Sequence, residues 1–213
     1  MTRFDALLWD LDGTLVDSIE LILASYRHAF EVVRGQALPD ELWLRGIGTP
    51  LIEQLRGFTD DPQELETLLD VYRRHAVANH DRMIRVFPGI DSTLRALVQR
   101  GVPLCIVTSK RRLGVERALR ACRLEGLFAD AVASDDTTQH KPHPAPVFLA
   151  LERLGASPET TLFVGDSLHD LHAGRRAGVS TAAALWGPFD RERLGEAEPD
   201  LWLESPEQVL DLV

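Results

Sequence analysis

Two carboxylates stand two residues apart where an apolar segment near the N-terminus ends. The segment Phe4 to Trp9 is followed by Asp10, Leu11, Asp12 and Gly13. The apolar run predicts a short buried strand, which Gly13 interrupts. Side chains at i and i+2 of an extended segment point to the same side, so Asp10 and Asp12 can face one small volume. Two close carboxylates repel unless a cation or shared protons offset the charge, so the spacing suggests metal and carboxylate chemistry. A strand followed by an Asp-Gly turn has the same pattern.

Three further stretches carry candidate functional side chains. They are Leu104 to Lys110, His140 to Pro144 and Leu162 to Asp170. Together with Asp10 to Leu15, and in this order, they resemble the four motifs of the haloacid dehalogenase superfamily of phosphatases. The resemblance extends over essentially the whole chain, and four ordered motifs are far more specific than any one of them. It is strongest toward the phosphoglycolate phosphatases and a related group of pyrophosphatases.

The resemblance implies a magnesium-dependent phosphatase that works through an aspartyl-phosphate. The first acid of the family's motif, here Asp10, is the nucleophile. The second acid, here Asp12, protonates the leaving oxygen and then takes a proton from the water that cleaves the intermediate. The family's dehalogenases lack the second acid, so Asp12 argues against carbon–halogen chemistry.

The magnesium site implied by the resemblance is built from oxygen atoms. A side-chain oxygen of Asp10, the backbone carbonyl of Asp12 and the carboxylate of Asp166 would bind the metal directly, whereas Asp170 would bind it directly or through water. Asp166 and Asp170 are four residues apart at the start of a predicted helix, so they can face the same side. In isolation, the two acids are also well explained as complements of the helix dipole.

Two motifs supply candidate groups for holding the phosphate. Thr108 opens a predicted helix, where unpaired backbone N–H groups form an anion site. We expect its hydroxyl to hold a phosphate oxygen and Ser109 to add a backbone donor, although an ordinary helix N-cap has the same pattern. Lys141 would hold the phosphate and the Asp10 carboxylate together. A lysine before a proline in a loop is otherwise usually solvated, and only its order among the motifs favours the functional role.

The segment Gly46 to Pro50 resembles a loop that contacts substrate in related phosphatases. We assign Gly48 in this loop, and Gly13 in the first motif, to phosphate or substrate binding. Arg45 beside the loop can bind a substrate carboxylate as a fork. A helix–helix turn next to a solvated arginine explains the same loop equally well.

The second part of the chain alternates strand and helix patterns. Strands are predicted over 103–107, 129–133, 161–165 and 179–185, and helices over 90–100, 111–123, 145–154 and 168–177. This alternation predicts an α/β fold, with a doubly wound parallel-sheet (Rossmann-like) core covered by helices on both faces. Ligands of such sheets bind at the carboxyl ends of the strands. Asp10, Thr108 and Asp166 all lie at such ends, so we expect them to share one site.

The residues between about 16 and 85 break this alternation. Apolar side chains recur at helical spacing over 19–33 and over 65–76, the second time behind a helix start at Asp61 and Pro62. With the resemblance, the pattern predicts a small all-helical cap domain inserted after the first strand. The predicted division is an α/β phosphatase core over 1–15 and 86–213, and a cap over 16–85. The segment Val86 to Gly89 is a candidate hinge, and a plain turn explains it equally.

The length and composition agree with a compact soluble enzyme. The chain has 213 residues, 45% of them hydrophobic, which is enough for a sizeable core. Its net charge of −10 disfavours nucleic acid and anionic membranes as partners, whereas the resemblance implies a small phosphorylated metabolite. No signal-peptide or membrane-spanning pattern is found, and Cys105 and Cys122 are expected to be reduced core residues. We therefore place the protein in the cytoplasm, as a monomer or a homodimer.

These observations predict a magnesium-dependent hydrolase of a small phosphate, with a 2-phosphoglycolate-type monoester as the first choice. Inorganic pyrophosphate is the alternative, which parts of the cap also suggest by resemblance. An isomerase similar to beta-phosphoglucomutase is less favoured, because such mutases carry a histidine in the first cap helix where this chain has Ile22. A non-catalytic binding protein on the same fold would have lost Asp10, Asp12 or Asp166, and none is lost.

Overall fold

A six-stranded parallel sheet forms the centre of the molecule, in a computed structural model that describes residues 4–213. The strands, in chain order, are β1 (Ala6–Trp9), β2 (Val16–Asp17), β3 (Arg85–Val86), β4 (Leu104–Val107), β5 (Asp130–Val132), β6 (Thr161–Gly165), β7 (Ser180–Ala184) and β8 (Leu201–Leu203). Their order across the sheet is β5-β4-β1-β6-β7-β8, and every neighbouring pair is parallel. β2 and β3 form a separate antiparallel pair.

The helices fall into two groups along the chain. The helices that precede β4 are α1 (Ile19–Arg34), α2 (Asp40–Leu44), α3 (Leu51–Arg56), α4 (Pro62–Met83) and α5 (Ile90–Gln99). Those after it are α6 (Arg112–Cys122), α7 (Ala145–Leu154), α8 (Leu168–Ala177) and α9 (Arg191–Gly195).

The central strands are buried on both faces because their side chains alternate between two hydrophobic clusters. Leu7 and Trp9 of β1 belong to the cluster that includes α5 and α6, whereas Leu8 belongs to the one that includes α7 and α8. Every residue of β1, β4 and β6 is buried, as expected of parallel strands enclosed by crossover helices. The doubly wound α/β sheet predicted from the sequence is confirmed.

The predicted core elements agree with the structure to within two residues at each end. The sequence analysis missed β8, α9 and the β2–β3 pair. Leu201–Leu203 is too short to show an alternation pattern and becomes a strand by pairing with β7. In the β2–β3 pair, Val16 lies opposite Val86, so the segment interpreted as a candidate hinge begins inside a strand pair.

The helices α1 to α4 pack around a third hydrophobic cluster. Its buried members include Tyr26, Phe30 and Trp43, and the rings of Tyr26 and Trp43 stack with centroids 4.2 Å apart. All of its members fall between residues 19 and 72. This separate packing supports a helical cap, and the limits at 16 and 85 stay a prediction. No helix among residues 4–213 combines the length and the apolarity needed to span a membrane.

Candidate active site

Three adjacent strands bring three candidate side chains to one edge of the sheet. β4, β1 and β6 are neighbours, and the residues directly after them are Thr108, Asp10 and Asp166. All three residues are buried. The carboxyl ends of parallel strands meet at one edge. The structure therefore brings these side chains together as the sequence predicts.

Lys141 lies between two of the acids and is almost inaccessible to solvent. Its Nζ donates hydrogen bonds to Asp10 Oδ1 at 2.8 Å, to Asp170 Oδ1 at 2.5 Å and to the backbone carbonyl of Val107 at 3.0 Å. Burial by itself lowers the pKa of the ammonium group, but the two carboxylates raise that pKa above its ordinary value. Lys141 is thus a charged and fully hydrogen-bonded cation in contact with the predicted nucleophile.

Asp10, Asp166 and Asp170 form a compact cluster of buried carboxylates. Their candidate ligand oxygens all lie within 4.8 Å of one another. Burial, followed by the charge of Asp170, raises the pKa of Asp10 to about 7, and Lys141 partly opposes this shift. Burial and the charges of its two acidic neighbours also raise the pKa of Asp166. Since ionised carboxylates this close repel one another, additional positive charge would stabilise the cluster.

Asp166 provides the observation that tests whether a metal fits. Its Oδ1 accepts a hydrogen bond from Thr14 Oγ1 at 2.5 Å, whereas its buried Oδ2 has no partner among residues 4–213. A buried carboxylate oxygen without a partner is costly, and such oxygens are the ligands that hard divalent cations prefer. The donor set of Asp10, Asp166 and Asp170 therefore fits a hard divalent cation.

Asp170 also caps the helix that follows β6. α8 has Ser167 as its N-cap, and the Ser167 N–H and Oγ–H donate to Asp170 Oδ2 at 3.1 and 2.6 Å. This is a capping box, in which the third residue of the helix bonds back to the cap. Its Oδ2 therefore serves the start of the helix while its Oδ1 faces Lys141, and a role of this acid in metal binding stays a prediction.

Gly13 lies against Asp166 and is not part of the cleft lining. Its φ is +90°, and a Cβ at this position would lie 2.4 Å from Asp166 Oδ2. A side chain is excluded both by the backbone conformation and by the space. Glycine here lets the first loop approach Asp166 closely, and its assignment to phosphate or substrate binding stays a prediction.

Asp12 is half-buried and shares one oxygen between two donors. Its Oδ1 accepts hydrogen bonds from Ser18 Oγ at 2.5 Å and from Lys110 Nζ at 2.7 Å. The sequence analysis assigned no role to either donor. A clue to Lys110 was available, because the chain has only two lysines and the other is Lys141. Ser18 carried no such clue.

Thr108 does not open the following helix, contrary to the expectation from the sequence. α6 begins at Arg112, whose N–H donates to Asp135 Oδ1 at 2.9 Å. The Asp135 carboxylate therefore satisfies the helix start, and the helix-terminus argument for Thr108 is wrong. Thr108 Oγ1 instead accepts a hydrogen bond from the Lys110 N–H at 3.2 Å, in the turn before the helix. It still lines the cleft together with Asp10.

The loop between α2 and α3 contacts the core at the same edge of the sheet. Ser109 Oγ donates a hydrogen bond to the Gly48 carbonyl at 2.5 Å. Gly48 has a φ of +101°, and a Cβ there would lie 2.7 Å from Ser167 Oγ and 3.0 Å from His169 Cδ2. Glycine thus allows this loop to approach the core closely.

A cleft of about 710 Å³ opens between the sheet edge and the cap helices. Asp10, Asp12, Thr108 and Lys141 line it from the core. The cap contributes apolar side chains, including Leu21, Ile22, Ile47, Leu51 and Ile52. Arg45 is not brought to the site, because its side chain is exposed at the C-terminal end of α2 and does not line the cleft.

Residues 7–184 match the family model of the haloacid dehalogenase-like hydrolases. The chain belongs to this family. Pyrophosphatase PpaX of Oceanobacillus iheyensis is 36% identical over 207 residues, which cover 97% of this chain and 95% of that protein. Pyrophosphatase PpaX of Bacillus pumilus is 36% identical over 213 residues, with 100% and 97% coverage. A crystal structure described as a predicted phosphoglycolate phosphatase from Haemophilus somnus 129PT has a TM-score of 0.90 at 26% identity, and covers 99% of this chain and 98% of that one.

Membership of the haloacid dehalogenase-like hydrolases confirms the resemblance found in the four motifs, and makes the protein an enzyme. The match extends from β1 to β7 and includes all four motifs. In this hydrolase the motifs meet at one edge of the sheet, around a buried cluster that can hold a metal.

Proposed function

We propose that this haloacid dehalogenase-like hydrolase cleaves the phosphate of a small soluble substrate through an aspartyl-phosphate on Asp10, with magnesium bound by the buried acids. The observation that carries the proposal is the buried contact of Lys141 with Asp10, beside the unpartnered oxygen of Asp166. Phosphoryl transfer needs a nucleophile, here a carboxylate, and a fixed cation beside it. It also needs an oxygen ligand that is free to bind a divalent metal ion.

In the first half of the reaction, a carboxylate oxygen of Asp10 attacks phosphorus, and the bond from phosphorus to the leaving oxygen breaks. Lys141 orients the carboxylate through its 2.8 Å hydrogen bond and offsets charge on the phosphoryl oxygens. Thr108 is placed to donate its hydroxyl hydrogen to one of these oxygens. Asp12 gives its proton to the leaving oxygen.

In the second half, ionised Asp12 takes a proton from a water molecule, which attacks the phosphorus of the aspartyl-phosphate. The bond between phosphorus and the Asp10 oxygen breaks, so phosphate leaves and the nucleophile is restored. Ser18 and Lys110 both donate to Asp12 Oδ1. They fix the orientation of this carboxyl group and leave its other oxygen to carry the proton.

Magnesium, when bound, neutralises charge on the transferring phosphoryl group. We propose Asp166 Oδ2 as a direct ligand, with a side-chain oxygen of Asp10 and the backbone carbonyl of Asp12. Both oxygens of Asp170 already accept hydrogen bonds from Lys141 and Ser167, which favours contact through a water molecule for this acid.

As substrate we propose inorganic pyrophosphate, ahead of the phosphoglycolate that the sequence placed first. The two relatives named pyrophosphatase PpaX are 36% identical over nearly the whole chain, whereas the structure described as a predicted phosphoglycolate phosphatase is 26% identical. Arg45, the expected anchor for a substrate carboxylate, lies outside the cleft lining.

A phosphoglycolate-type ester is the second candidate, because the cap lines the cleft with apolar side chains that suit a carbon skeleton, such as Leu21 and Leu51. Ile22 also lines the cleft. It occupies the position where the similar mutases carry a histidine, so the structure offers no support for the isomerase alternative.

The test is a phosphate-release assay with pyrophosphate, 2-phosphoglycolate and p-nitrophenyl phosphate. We expect the highest kcat/KM for pyrophosphate, loss of activity with a chelator, recovery with magnesium and inhibition by calcium, whose coordination is looser and higher. A higher kcat/KM for 2-phosphoglycolate would make it the first candidate, as the sequence analysis predicted. Full activity in the chelator would remove Asp166 and Asp170 from the list of ligands, and release from no substrate would overturn the hydrolase proposal.

A further inference from the structure

The side chains that line the cleft include more basic groups than acidic ones, although the chain as a whole is acidic. The net charge of the chain is −10, yet Lys and Arg outnumber the acids that line the cleft by five to three. The basic residues are Arg73, Lys110, Arg111, Arg117 and Lys141, and the acidic ones are Asp10, Asp12 and Asp135. Only Lys141 is committed to the nucleophile. The cleft thus holds more cationic side chains than the transferred phosphoryl group uses.

Lys110 places part of this charge beside the leaving group. Its Nζ lies 2.7 Å from Asp12 Oδ1. Asp12 must approach the leaving oxygen in order to protonate it, so a leaving group within reach of Asp12 is also close to Lys110. An anionic leaving group would therefore meet a cation at this point.

Arg117 is held at the cleft by a link between α6 and the end of α4. Asp81 Oδ1 accepts a hydrogen bond from Arg117 Nε at 3.2 Å and lies 2.7 Å from His80 Nδ1. Burial, with the charges of Lys110 and Arg117, lowers the pKa of His80 despite its bond to Asp81. His80, Lys110 and Arg117 all line the cleft.

His80 also lines the cleft, and its Nε2 is buried without a hydrogen-bond partner among residues 4–213. A buried ring nitrogen without a partner is costly. Nδ1 faces the Asp81 carboxylate and therefore carries the proton of the neutral ring, so Nε2 is an acceptor, and a ligand hydroxyl that donated to it, such as that of a singly protonated phosphate, would remove the cost. This observation points to a polar ligand group at the same end of the cleft, independently of the count of charges.

Arg73 contributes from the cap side of the cleft. It lies on α4, its side chain is exposed, and it forms no ion pair among residues 4–213. An unpaired arginine fork can bind the oxygens of phosphate or carboxylate in two places at once. Its neighbour Arg74 pairs with Asp70 and does not line the cleft.

We propose that Arg73, Lys110 and Arg117, supported by His80 and Asp81, form a second anion subsite that holds the charged oxygens of the leaving group. The subsite selects substrates whose leaving group carries a phosphate or a carboxylate, and it disfavours esters of neutral alcohols. It rests on the proposed function, because Asp12 defines where the leaving group lies. It also replaces Arg45 as the anchor for the second anion.

The test compares three ligands that share one phosphonate group. Methylenediphosphonate adds a second phosphonate, phosphonoacetate adds a carboxylate, and methylphosphonate adds neither. Their dissociation constants are measured by calorimetry with magnesium on the full chain. The variants are Arg73→Ala and Arg117→Ala, with Arg74→Ala and Arg120→Ala as matched controls, since Arg120 is on the same helix as Arg117 but outside the cleft lining. The ligands also bind magnesium in solution, but this is the same for every variant. The ratio of each variant's dissociation constant to that of wild type therefore reports only on the protein.

We expect Arg73→Ala and Arg117→Ala each to raise the dissociation constants of methylenediphosphonate and phosphonoacetate by roughly ten-fold. This corresponds to the lower end of the range for one charge-assisted hydrogen bond. Binding of methylphosphonate should change by less than about two-fold, as should binding of every ligand to the two controls. A larger effect on methylenediphosphonate assigns the subsite to phosphate, and a larger effect on phosphonoacetate assigns it to carboxylate. Equal effects on all three ligands, or no effect on any, would overturn the subsite.

The two lysines of the chain provide a second measurement. Lys141 is buried, whereas the side chain of Lys110 is 20% exposed, so acetylation followed by mass spectrometry reports on Lys110. Methylenediphosphonate should slow acetylation of Lys110 several-fold more than methylphosphonate does. Equal protection by both would place the second anion elsewhere. These binding measurements do not depend on turnover, so they separate failure of the subsite from failure of the proposed hydrolase activity.

Discussion

The strand-end site and the aromatic cluster of the cap are both buried, but opposite kinds of interaction hold them together. The site gathers three aspartates around Lys141 in near-complete exclusion from solvent. The cap cluster stacks Tyr26 on Trp43, with Phe30 edge-on to the indole. One region depends on charge and hydrogen bonds, and the other on apolar contact.

The difference separates stability from chemistry. Ion pairing only partly offsets the cost of burying charges, whereas apolar burial stabilises directly, by about 25 cal/mol per Å². Asp10 and Asp166 are held in place because each directly follows a strand that is paired on both sides, whereas Asp170 is held by α8 and Lys141 by its hydrogen bonds to the acids. The cap needs no such frame and forms its own core. We therefore propose that the sheet edge carries the chemistry and that the cleft beside the cap recognises the substrate.

The largest effect should come from the nucleophile. Asp10→Asn keeps the shape of the side chain but removes its charge, so we expect kcat to fall by roughly three orders of magnitude or more. The fold should survive, since the change also relieves repulsion among the buried acids. Activity and thermal unfolding are measured side by side, with Asp5→Asn, an exposed position, as the control. Near-normal turnover in Asp10→Asn would remove the aspartyl-phosphate mechanism.

The buried cation should be next in size. Lys141→Met leaves Asp10 and Asp170 without their shared partner, and we expect the free energy of unfolding to fall by about 3–5 kcal/mol in urea titrations. Adding Asp170→Asn to this variant should recover part of the loss, because one of the uncompensated charges is removed. If Lys141→Met unfolds at the wild-type urea concentration, the charged site is not held together by this lysine.

Gly48 tests the contact between the two regions. A Cβ there would meet Ser167 and His169, whereas a Cβ at Gly35, also at positive φ, would meet nothing within 4 Å. Gly48→Ala and Gly35→Ala should each cost about 1–2 kcal/mol of stability through backbone strain. Only Gly48→Ala should also lower kcat/KM, by roughly ten-fold, because it forces the cap loop off the core. Equal kcat/KM values for the two variants would show that this contact does not shape the active cleft.

The smallest effect is expected at the surface of the cap. Hydrogen bonds from Arg34 and Thr59 lower the pKa of Glu64 from its ordinary 4.5 to about 2. Because the folded-state pKa lies below the unfolded one, Glu64 stabilises the protein at pH values above about 4.5, and this contribution is lost as the pH falls toward 2. The difference in Tm between wild type and Glu64→Gln should therefore shrink on acidification. Glu66→Gln, on the same helix, is the control, and a difference that does not vary with pH would contradict the ion pair.

Local sequence patterns were sufficient for five of the six strands of the sheet and for the positions of the acids that follow them. Asp10 and Asp166 follow apolar runs that form fully buried strands. Lys141 lies between the Thr108 and Asp166 motifs in the sequence. The side-chain roles stay predictions, but the placement follows from the chain itself. Strand ends are found by periodicity, and a parallel sheet brings those ends to one edge.

These local patterns did not predict contacts between segments that are distant in the sequence. Lys110 donates a hydrogen bond to Asp12, which lies 98 residues away in the sequence. Asp135, 23 residues after Arg112, accepts the hydrogen bond from the first N–H of α6, where the sequence had placed Thr108 at the helix start. Arg45 and Arg73 both lie in the helical segment, yet only Arg73 lines the cleft, because the packing of the cap decides which side of each helix faces the core. The sequence by itself determined where the candidate acids lie, since strands and their ends are local features. Only the tertiary structure decided which basic side chains line the cleft, since that depends on how two separately packed regions meet.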